Sequence, residues 1–191
     1  MRVISGSAKG RALKAPPGMN TRPTADKVKE AMFNMIGPYF DGGMALDLFA
    51  GSGGLGIEAL SRGMDRAVFV DMDKLSIQTI NHNLEATGFA DRSEVYRSEA
   101  TRAIRTLAKR KYRFDLVLLD PPYRFTHVDE LMLDIQELGL LQDGATVLVE
   151  HRSDHRYPET VGQLQCRRYG EYGETAVAIY RYVGASGPST S

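Results

Sequence analysis

The chain has 191 residues, of which 42% are hydrophobic and 25% are charged, a composition typical of a globular protein with a full core. Its 24 basic and 24 acidic residues cancel, so the total charge alone does not indicate a nucleic-acid partner. The single cysteine, Cys166, excludes an internal disulfide and a cysteine-rich metal site.

The N-terminal 24 residues carry only positive charge. Because the total charge is zero, the five basic residues before Asp26 leave a net charge of −5 on the rest of the chain. These basic residues are Arg2, Lys9, Arg11, Lys14 and Arg22. We predict that residues 1–24 form an arm or hairpin, with extended pieces around 6–10, that contacts a polyanion. The alternative is a solvated tail whose charge is incidental.

The next segment has helical spacing. Apolar residues repeat at intervals of three and four over 25–36, which predicts a helix with Thr24 as its N-cap. Gly37 and Pro38 end this helix, and the turn at 41–43 leads into the first strand.

Beyond that point the pattern alternates between strands and helices. Strands are predicted at 67–71, 93–97, 114–120 and 145–150, and helices at 55–61, 75–86, 99–109 and 127–138. The segments 164–169 and 175–182 have no room for a helix between them and predict an antiparallel hairpin. We therefore expect an α/β fold over 25–183 with a doubly wound, mostly parallel, seven-stranded Rossmann-like sheet. Residues 184–191 are small and polar and predict a disordered tail.

A glycine-dense turn, Ala-Leu-Asp-Leu-Phe-Ala-Gly-Ser-Gly-Gly-Leu-Gly at 45–56, joins the first strand to a helix. Its glycines match G-x-G-x-x-G, which would suggest a dinucleotide. Asp47, at the end of the strand, would repel a pyrophosphate but would suit the ammonium group of S-adenosylmethionine. Asp71 follows Gly51 by 20 residues and can accept hydrogen bonds from both ribose hydroxyls.

A second motif, Asp120-Pro121-Pro122-Tyr123, follows the fourth predicted strand. It lies at the same edge of the sheet as the glycine turn, because parallel strands bring their carboxyl ends together. The prolines have no N–H donors, so the Asp120 carboxylate and carbonyl oxygens form a cluster of acceptors. Such a cluster suits an exocyclic amine, and Tyr123 offers a face on which a base can stack. Alternatively, the prolines only end the strand.

Five segments resemble a known family: 21–34 (TRPTADKVKEAMFN), 46–53 (LDLFAGSG), 59–63 (ALSRG), 120–123 (DPPY) and 172–175 (YGET). They are similar to segments of the RsmD-type methyltransferases. Enzymes of that family methylate the exocyclic N2 amine of one guanine in bacterial small-subunit (16S) ribosomal RNA, using S-adenosylmethionine. The resemblance extends from Arg2 to about Tyr182.

The resemblance implies a cofactor site and a target-amine site. The implied cofactor residues are Asp47, Phe49, Ala50, Gly51, Ser52, Gly53, Leu55, Gly56, Asp71, Met72, Glu99, Ala100, Arg22 and Thr24. Arg22 and Thr24 could contact either cofactor or RNA, and Glu99-Ala100 stands where such enzymes usually have Asp-Ala. The implied catalytic residues are Asp120, Pro121, Pro122 and Tyr123. From the charge distribution, we predict that the five basic residues of the arm bind the RNA, and we expect a monomer that acts on 16S ribosomal RNA within a small-subunit particle.

The reaction implied is an in-line displacement that depends on positioning and needs no metal. We predict that Asp120 orients the amine and does not deprotonate it, since an unperturbed carboxylate with a pKa near ~4 is a weak base. Other readings are a DNA or RNA adenine-N6 or cytosine methyltransferase, a protein-glutamine methyltransferase, a non-catalytic RNA-binding module and, least favoured, a dehydrogenase. A DNA enzyme would usually carry a target-recognition insertion, and a glutamine enzyme would usually have Asn at position 120.

The remaining features are unremarkable. The four histidines show no metal-ligand spacing, so we expect no metal site. We interpret His151 and His155 as ordinary surface residues; the alternative is that they face the RNA. Residues 1–6 are too polar for a signal peptide, and no apolar run approaches the length of a membrane span. We therefore expect a cytoplasmic protein.

Overall fold

The structure, a computed structural model, describes residues 1–18 and 25–184. The helices in these ranges are α1 (Asp26–Ile36), α2 (Gly54–Ser61), α3 (Lys74–Thr87), α4 (Ala100–Lys109) and α5 (Val128–Glu137). The strands are β1 (Met44–Asp47), β2 (Arg66–Asp71), β3 (Ser93–Arg97), β4 (Phe114–Leu119), β5 (Leu141–Arg152), β6 (Thr160–Val161), β7 (Leu164–Tyr172) and β8 (Thr175–Tyr182). Within the described ranges, no helix is long and apolar enough to cross a membrane.

The strands form one sheet in the order β3-β2-β1-β4-β5-β8-β7-β6. The first five strands in this order are parallel to one another, and each of the last three is antiparallel to the strand before it. The predicted doubly wound, mostly parallel sheet with a closing hairpin is therefore confirmed. The sheet has eight strands where seven were predicted, because β6 is a two-residue pairing with β7 that leaves no periodic pattern in the sequence.

Most element boundaries lie within one residue of the prediction, and β5 differs most. This strand begins at Leu141, which pairs with Phe114. The register then shifts between Phe114 and Leu116, and no sequence pattern predicts this shift. Helix α1 begins one residue later than predicted, with Ala25 at the N-cap position and no side-chain cap. The predicted cap, Thr24, and the tail at 185–191 lie outside the described residues.

Helices cover both faces of the sheet. Side chains alternate along each strand, so one set packs against α4 and α5 and the other against α1, α2 and α3. The first set includes Leu46, Val68, Val117 and Val147, and the second includes Ala45, Phe69, Leu118 and Leu148. Burial on both faces explains why the parallel strands are almost continuously apolar.

The N-terminal segment, residues 1–18, packs on the face that α1 and α2 cover. An isolated antiparallel bridge joins Arg2 to Ala12, and Val3, Ala8 and Leu13 are buried in the same cluster as these helices. The segment therefore shares the hydrophobic core of the sheet domain, with its basic side chains on the outside.

Candidate active site

Four acidic side chains lie at the carboxyl ends of neighbouring strands. Asp71 ends β2, Asp47 ends β1, Asp120 follows β4, and Glu150 is near the end of β5. The strand register places Asp120 beside Glu150. Asp47 pairs with Leu118 and so lies two residues before the level of Asp120 along the strands. Since side chains two residues apart share a face, all four point to the side that α2 covers.

Asp47 is buried beneath the start of α2, with only 1% of its surface exposed. The Gly56 N–H donates a hydrogen bond of 2.9 Å to its Oδ2 atom. Burial raises the pKa of Asp47 to about 7, the negative charge of Asp71 contributes in the same direction, and the Gly56 hydrogen bond acts against both. A cationic ligand group beside Asp47 would therefore favour its ionised form.

The glycines of the turn have separate structural roles. A Cβ atom on Gly56 would lie 2.4 Å from Cε1 of Phe69, so only glycine lets α2 pack this closely on the sheet. Gly53 is the N-cap of α2, with a φ of 82°. A Cβ on Gly51 would meet no atom within 4 Å, so the backbone of the turn borders open space into which a ligand could fit.

Asp71 holds the turn in place. Its Oδ2 accepts a hydrogen bond from the Gly51 N–H and its Oδ1 accepts one from the Asp73 N–H, both at 2.9 Å. Each carboxylate oxygen has two acceptor positions, so Asp71 keeps capacity for two ribose hydroxyls. Beside it, Met72 is 61% exposed.

The end of β3 also reaches this edge, because the Ser98 N–H donates to the Asp71 carbonyl at 3.0 Å. Glu99 follows at the N-cap position of α4, and Ala100 is the first helical residue and is buried. The predicted start of this helix, Glu99, is one residue too early.

The other residues implied to contact the cofactor lie along the same turn. Ala50 and Leu55 are buried, and the ring of Phe49 lies 5.2 Å from the ring of Phe125. The Phe49–Phe125 contact connects the glycine turn to the loop after β4. The Ser52 carbonyl accepts a hydrogen bond of 2.8 Å from Asn83 Nδ2.

Asp120 and Glu150 lie side by side, because β4 and β5 pair Leu119 with Val149. Burial, the neighbouring charge of Glu150 and the charge of Asp47 all raise the pKa of Asp120 well above its usual range. The expectation of an ordinary carboxyl pKa for Asp120 is therefore wrong. It failed because Glu150 is 30 residues away in sequence and meets Asp120 only through the pairing of β4 with β5.

The proline loop presents acceptors and an aromatic ring. The Phe125 N–H donates to the Pro122 carbonyl at 2.9 Å, whereas no described residue donates to the Pro121 carbonyl. Tyr123 is 67% exposed, and the guanidinium carbon of Arg152 lies 5.2 Å from its ring centroid. Arg152 therefore lies over the Tyr123 ring, and the exposed part of the ring is available for stacking on a planar group.

A pocket of about 180 Å³ adjoins this loop, with Pro121, Tyr123, His151 and Tyr157 among its lining residues. The interpretation of His151 as a surface residue is wrong, since only 8% of it is exposed. Burial lowers the pKa of His151, which favours the neutral ring. Its Nδ1 lies 2.8 Å from the Arg152 carbonyl, and its Nε2 has no hydrogen-bond partner among the described residues.

Sequence reasoning missed Glu150, Arg152 and Tyr157 as members of this site. The signal that could have found Glu150 is its place at the carboxyl end of the strand that follows the Asp-Pro-Pro-Tyr segment. In residues 1–18 and 25–184, no three acidic, histidine or cysteine side chains are grouped to hold a metal ion.

The basic residues of the N-terminal segment lie on the surface. Arg2 pairs with Asp26 at 3.2 Å, and Lys9, Arg11 and Lys14 are exposed. The backbone of Lys14 exchanges two hydrogen bonds with the side chain of Asn83, which also contacts the glycine turn. The two remaining predicted contacts, Arg22 and Thr24, lie outside the described residues.

The sequence is similar to a protein family and to several named proteins. The model of a family described as "Conserved hypothetical protein 95" matches residues 1–181. The chain is 53% identical over 184 residues to a Bacillus subtilis protein named "Putative rRNA methyltransferase YlbH", covering 96% of this chain and 100% of the relative. It is 34% identical over 181 residues to the Escherichia coli (strain K12) "Ribosomal RNA small subunit methyltransferase D", covering 95% and 89%.

A solved structure of a conserved hypothetical protein from Streptococcus pyogenes is similar over 82% of this chain and 96% of that protein. Its TM-score is 0.78 and its sequence identity is 40%.

Proposed function

Since the chain belongs to the RsmD-type methyltransferase family, we propose that it transfers a methyl group from S-adenosylmethionine to the N2 amine of a guanine in small-subunit ribosomal RNA. It acts in the cytoplasm as a monomer, on 16S ribosomal RNA within a small-subunit particle. The names of the two relatives support ribosomal RNA as the substrate class.

The observation that carries the proposal is the acceptor cluster beside the glycine turn. When Asp120 is ionised, its carboxylate and the Pro121 carbonyl act only as hydrogen-bond acceptors. Two such acceptors match the two hydrogens of an exocyclic amine. The Phe49–Phe125 contact holds this cluster next to the turn. An amine and a cofactor bound at these two places are neighbours, as a transfer reaction requires.

The residues of the turn fit S-adenosylmethionine. The open space beside Gly51, the remaining acceptor capacity of Asp71 and the buried carboxyl of Asp47 would accommodate its methionine, ribose and ammonium groups. When bound, it supplies a methyl group activated by a sulfonium.

The chain contributes positioning. Asp120 and the Pro121 carbonyl hold the amine hydrogens, so that the nitrogen lone pair points away from them. Tyr123 stacks on the base, with Arg152 against its ring. Holding reacting atoms close and aligned supplies much of the rate of such a displacement.

Mapping of modified nucleotides tests the proposed function. We expect small-subunit ribosomal RNA from cells lacking this protein to have lost one N2-methylguanine, which the gene restores. The loss of a methyladenine, or a change in DNA alone, would identify a different amino-methyltransferase.

Asp71→Ala should weaken S-adenosylmethionine binding by roughly 1.5–3 kcal/mol, the range for a hydrogen bond to a charged group. The substitution removes both the ribose acceptor and the support of Gly51. Calorimetry measures the affinity, with Asp91→Ala, outside the turn in the short 3₁₀ segment 90–92, as the control. An unchanged affinity would show that the ribose is bound elsewhere.

Neutralising the exposed N-terminal charges should weaken RNA binding. The triple variant Lys9→Gln, Arg11→Gln, Lys14→Gln removes three positive charges, so the slope of log affinity against log salt should flatten by up to about two units. Filter binding across a salt series measures the slope, and S-adenosylmethionine affinity should stay unchanged.

The matched control is Arg102→Gln, Arg105→Gln, Lys109→Gln, which removes three exposed charges from α4. We expect this variant to keep the parent slope. If only the α4 variant flattens the slope, the RNA contacts α4 and not the N-terminal segment.

A further inference from the structure

We propose that Glu150 is a positioning residue for methyl transfer, which holds a proton that it shares with Asp120 and so keeps an Asp120 oxygen turned toward the target amine. This inference rests on the proposed function. It adds a residue that neither the glycine turn nor the Asp-Pro-Pro-Tyr motif contains.

The sheet brings the two carboxyl groups together. Strands β4 and β5 pair Leu119 with Val149, so the next residues, Asp120 and Glu150, are neighbours on one face. Glu150 is 9% exposed, and its partner on β8 is the fully buried Val177. Glu150 is therefore buried and Asp120 is partly buried, so both have less solvation than separate carboxylates on the surface.

The closeness of these groups favours a shared proton. An ionised carboxylate can only accept hydrogen bonds, so two carboxyl groups that strand pairing brings together relieve their repulsion by holding a proton between them. The same arrangement, two close carboxyl groups with one proton, gives a pair whose two titration steps are far apart.

Neighbouring acidic groups favour the protonated state of the pair. Asp47 faces the pair from β1, and Asp71 lies beyond it on β2 and acts on Asp47. From α2, the Gly56 N–H is directed at Asp47. The pair therefore keeps its proton at pH values at which isolated carboxyl groups are ionised.

The proton matters because of what it does to Asp120. With the proton on Glu150, Asp120 accepts a hydrogen bond at one oxygen and keeps acceptor capacity for the amine. Loss of the proton would leave two adjacent carboxylates that repel each other, and Asp120 would turn away from Glu150. The working state of the pair is thus the singly protonated one.

The sign of the pH effect follows. Between the two pKa values of the pair one proton is shared and the Asp120 carboxylate is oriented, whereas below the lower pKa both carboxyl groups are protonated. Above the upper pKa the proton is lost, and transfer should decline. Glu150→Gln provides a permanent N–H donor that cannot ionise, so it should abolish the alkaline decline.

Two measurements test the proposal. In the cofactor-free protein, ¹³C NMR titration of the side-chain carboxyl carbons should show Asp120, identified by its absence in Asp120→Asn, with a second, alkaline titration step in the parent that Glu150→Gln lacks. In transfer assays, Glu150→Gln should lack the alkaline decline, and Glu150→Ala should be slower than Glu150→Gln by roughly tenfold or more.

Glu137→Gln, an exposed change at the end of α5, is the matched control and should behave as the parent. An Asp120 titration that is the same in the parent and Glu150→Gln, or an alkaline decline that Glu150→Gln retains, would overturn the proposal. Asp120→Asn gives the reciprocal test, since Glu150 should then titrate at lower pH. The titrations need no RNA, so they test the carboxyl pair independently of the proposed function. Failure of the parent to methylate a guanine amine would reject the proposed function and would leave the titration result unchanged.

Discussion

Asp120→Ala should lower the rate of methyl transfer by at least about a hundredfold, the size expected for loss of a positioning and electrostatic contact in the transition state. The carboxylate is one of two acceptors that the site offers to the amine hydrogens. The glycine turn and Asp71 do not depend on Asp120 for their hydrogen bonds. Affinity for S-adenosylmethionine should therefore stay within a few-fold of the parent.

Single-turnover assays with saturating cofactor measure the rate, and calorimetry measures the affinity. Asp134→Ala, an exposed change on α5, should affect neither quantity. Asp120→Asn keeps one carbonyl acceptor and should fall between the parent and Asp120→Ala. Near-normal transfer by Asp120→Ala would mean that Asp120 does not hold the target amine.

Local sequence patterns indicate the parts of the candidate site that a short segment builds by itself. The turn containing Gly51, Gly53 and Gly56 could be recognised because close packing on Phe69 and a positive φ demand glycine at fixed positions. Asp71 could be recognised because it ends an apolar run at a fixed distance from that turn. Each signal lies within one strand-turn-helix unit.

The parts that were missed depend on contacts between distant segments. Glu150 meets Asp120 through strand pairing, and His151 is buried because a following loop brings His155 and Tyr157 against it. Neither contact has a periodic signal in the sequence. The perturbed pKa of Asp120 is a consequence of such pairing, which explains why an ordinary value was expected.

The docking of the N-terminal segment is another contact of this kind. Its charge pattern suggested an arm for a polyanion, but its apolar residues are too few and too scattered to predict burial. The structure shows two of its backbone N–H groups, those of Ile4 and Ser5, donating to the carboxylate of Glu58 on α2 at 2.8 and 3.1 Å. Removing residues 1–18 would therefore open the core, so charge-neutralising substitutions separate RNA binding from folding more cleanly than a deletion.

Glu58→Ala should destabilise the protein by about 3–5 kcal/mol, the cost of breaking a buried ion pair by removing one partner. Glu58 is fully buried, and its carboxylate lies 2.8 Å from Arg62 Nε and 3.6 Å from Lys29 Nζ. Its loss leaves two buried cations and two backbone donors without their acceptor. Urea unfolding measures the free energy, with the exposed Glu30→Ala on α1 as the control and an expected change within about 0.5 kcal/mol. Equal stabilities for the two variants would mean that Glu58 does not hold the N-terminal segment, α1 and α2 together.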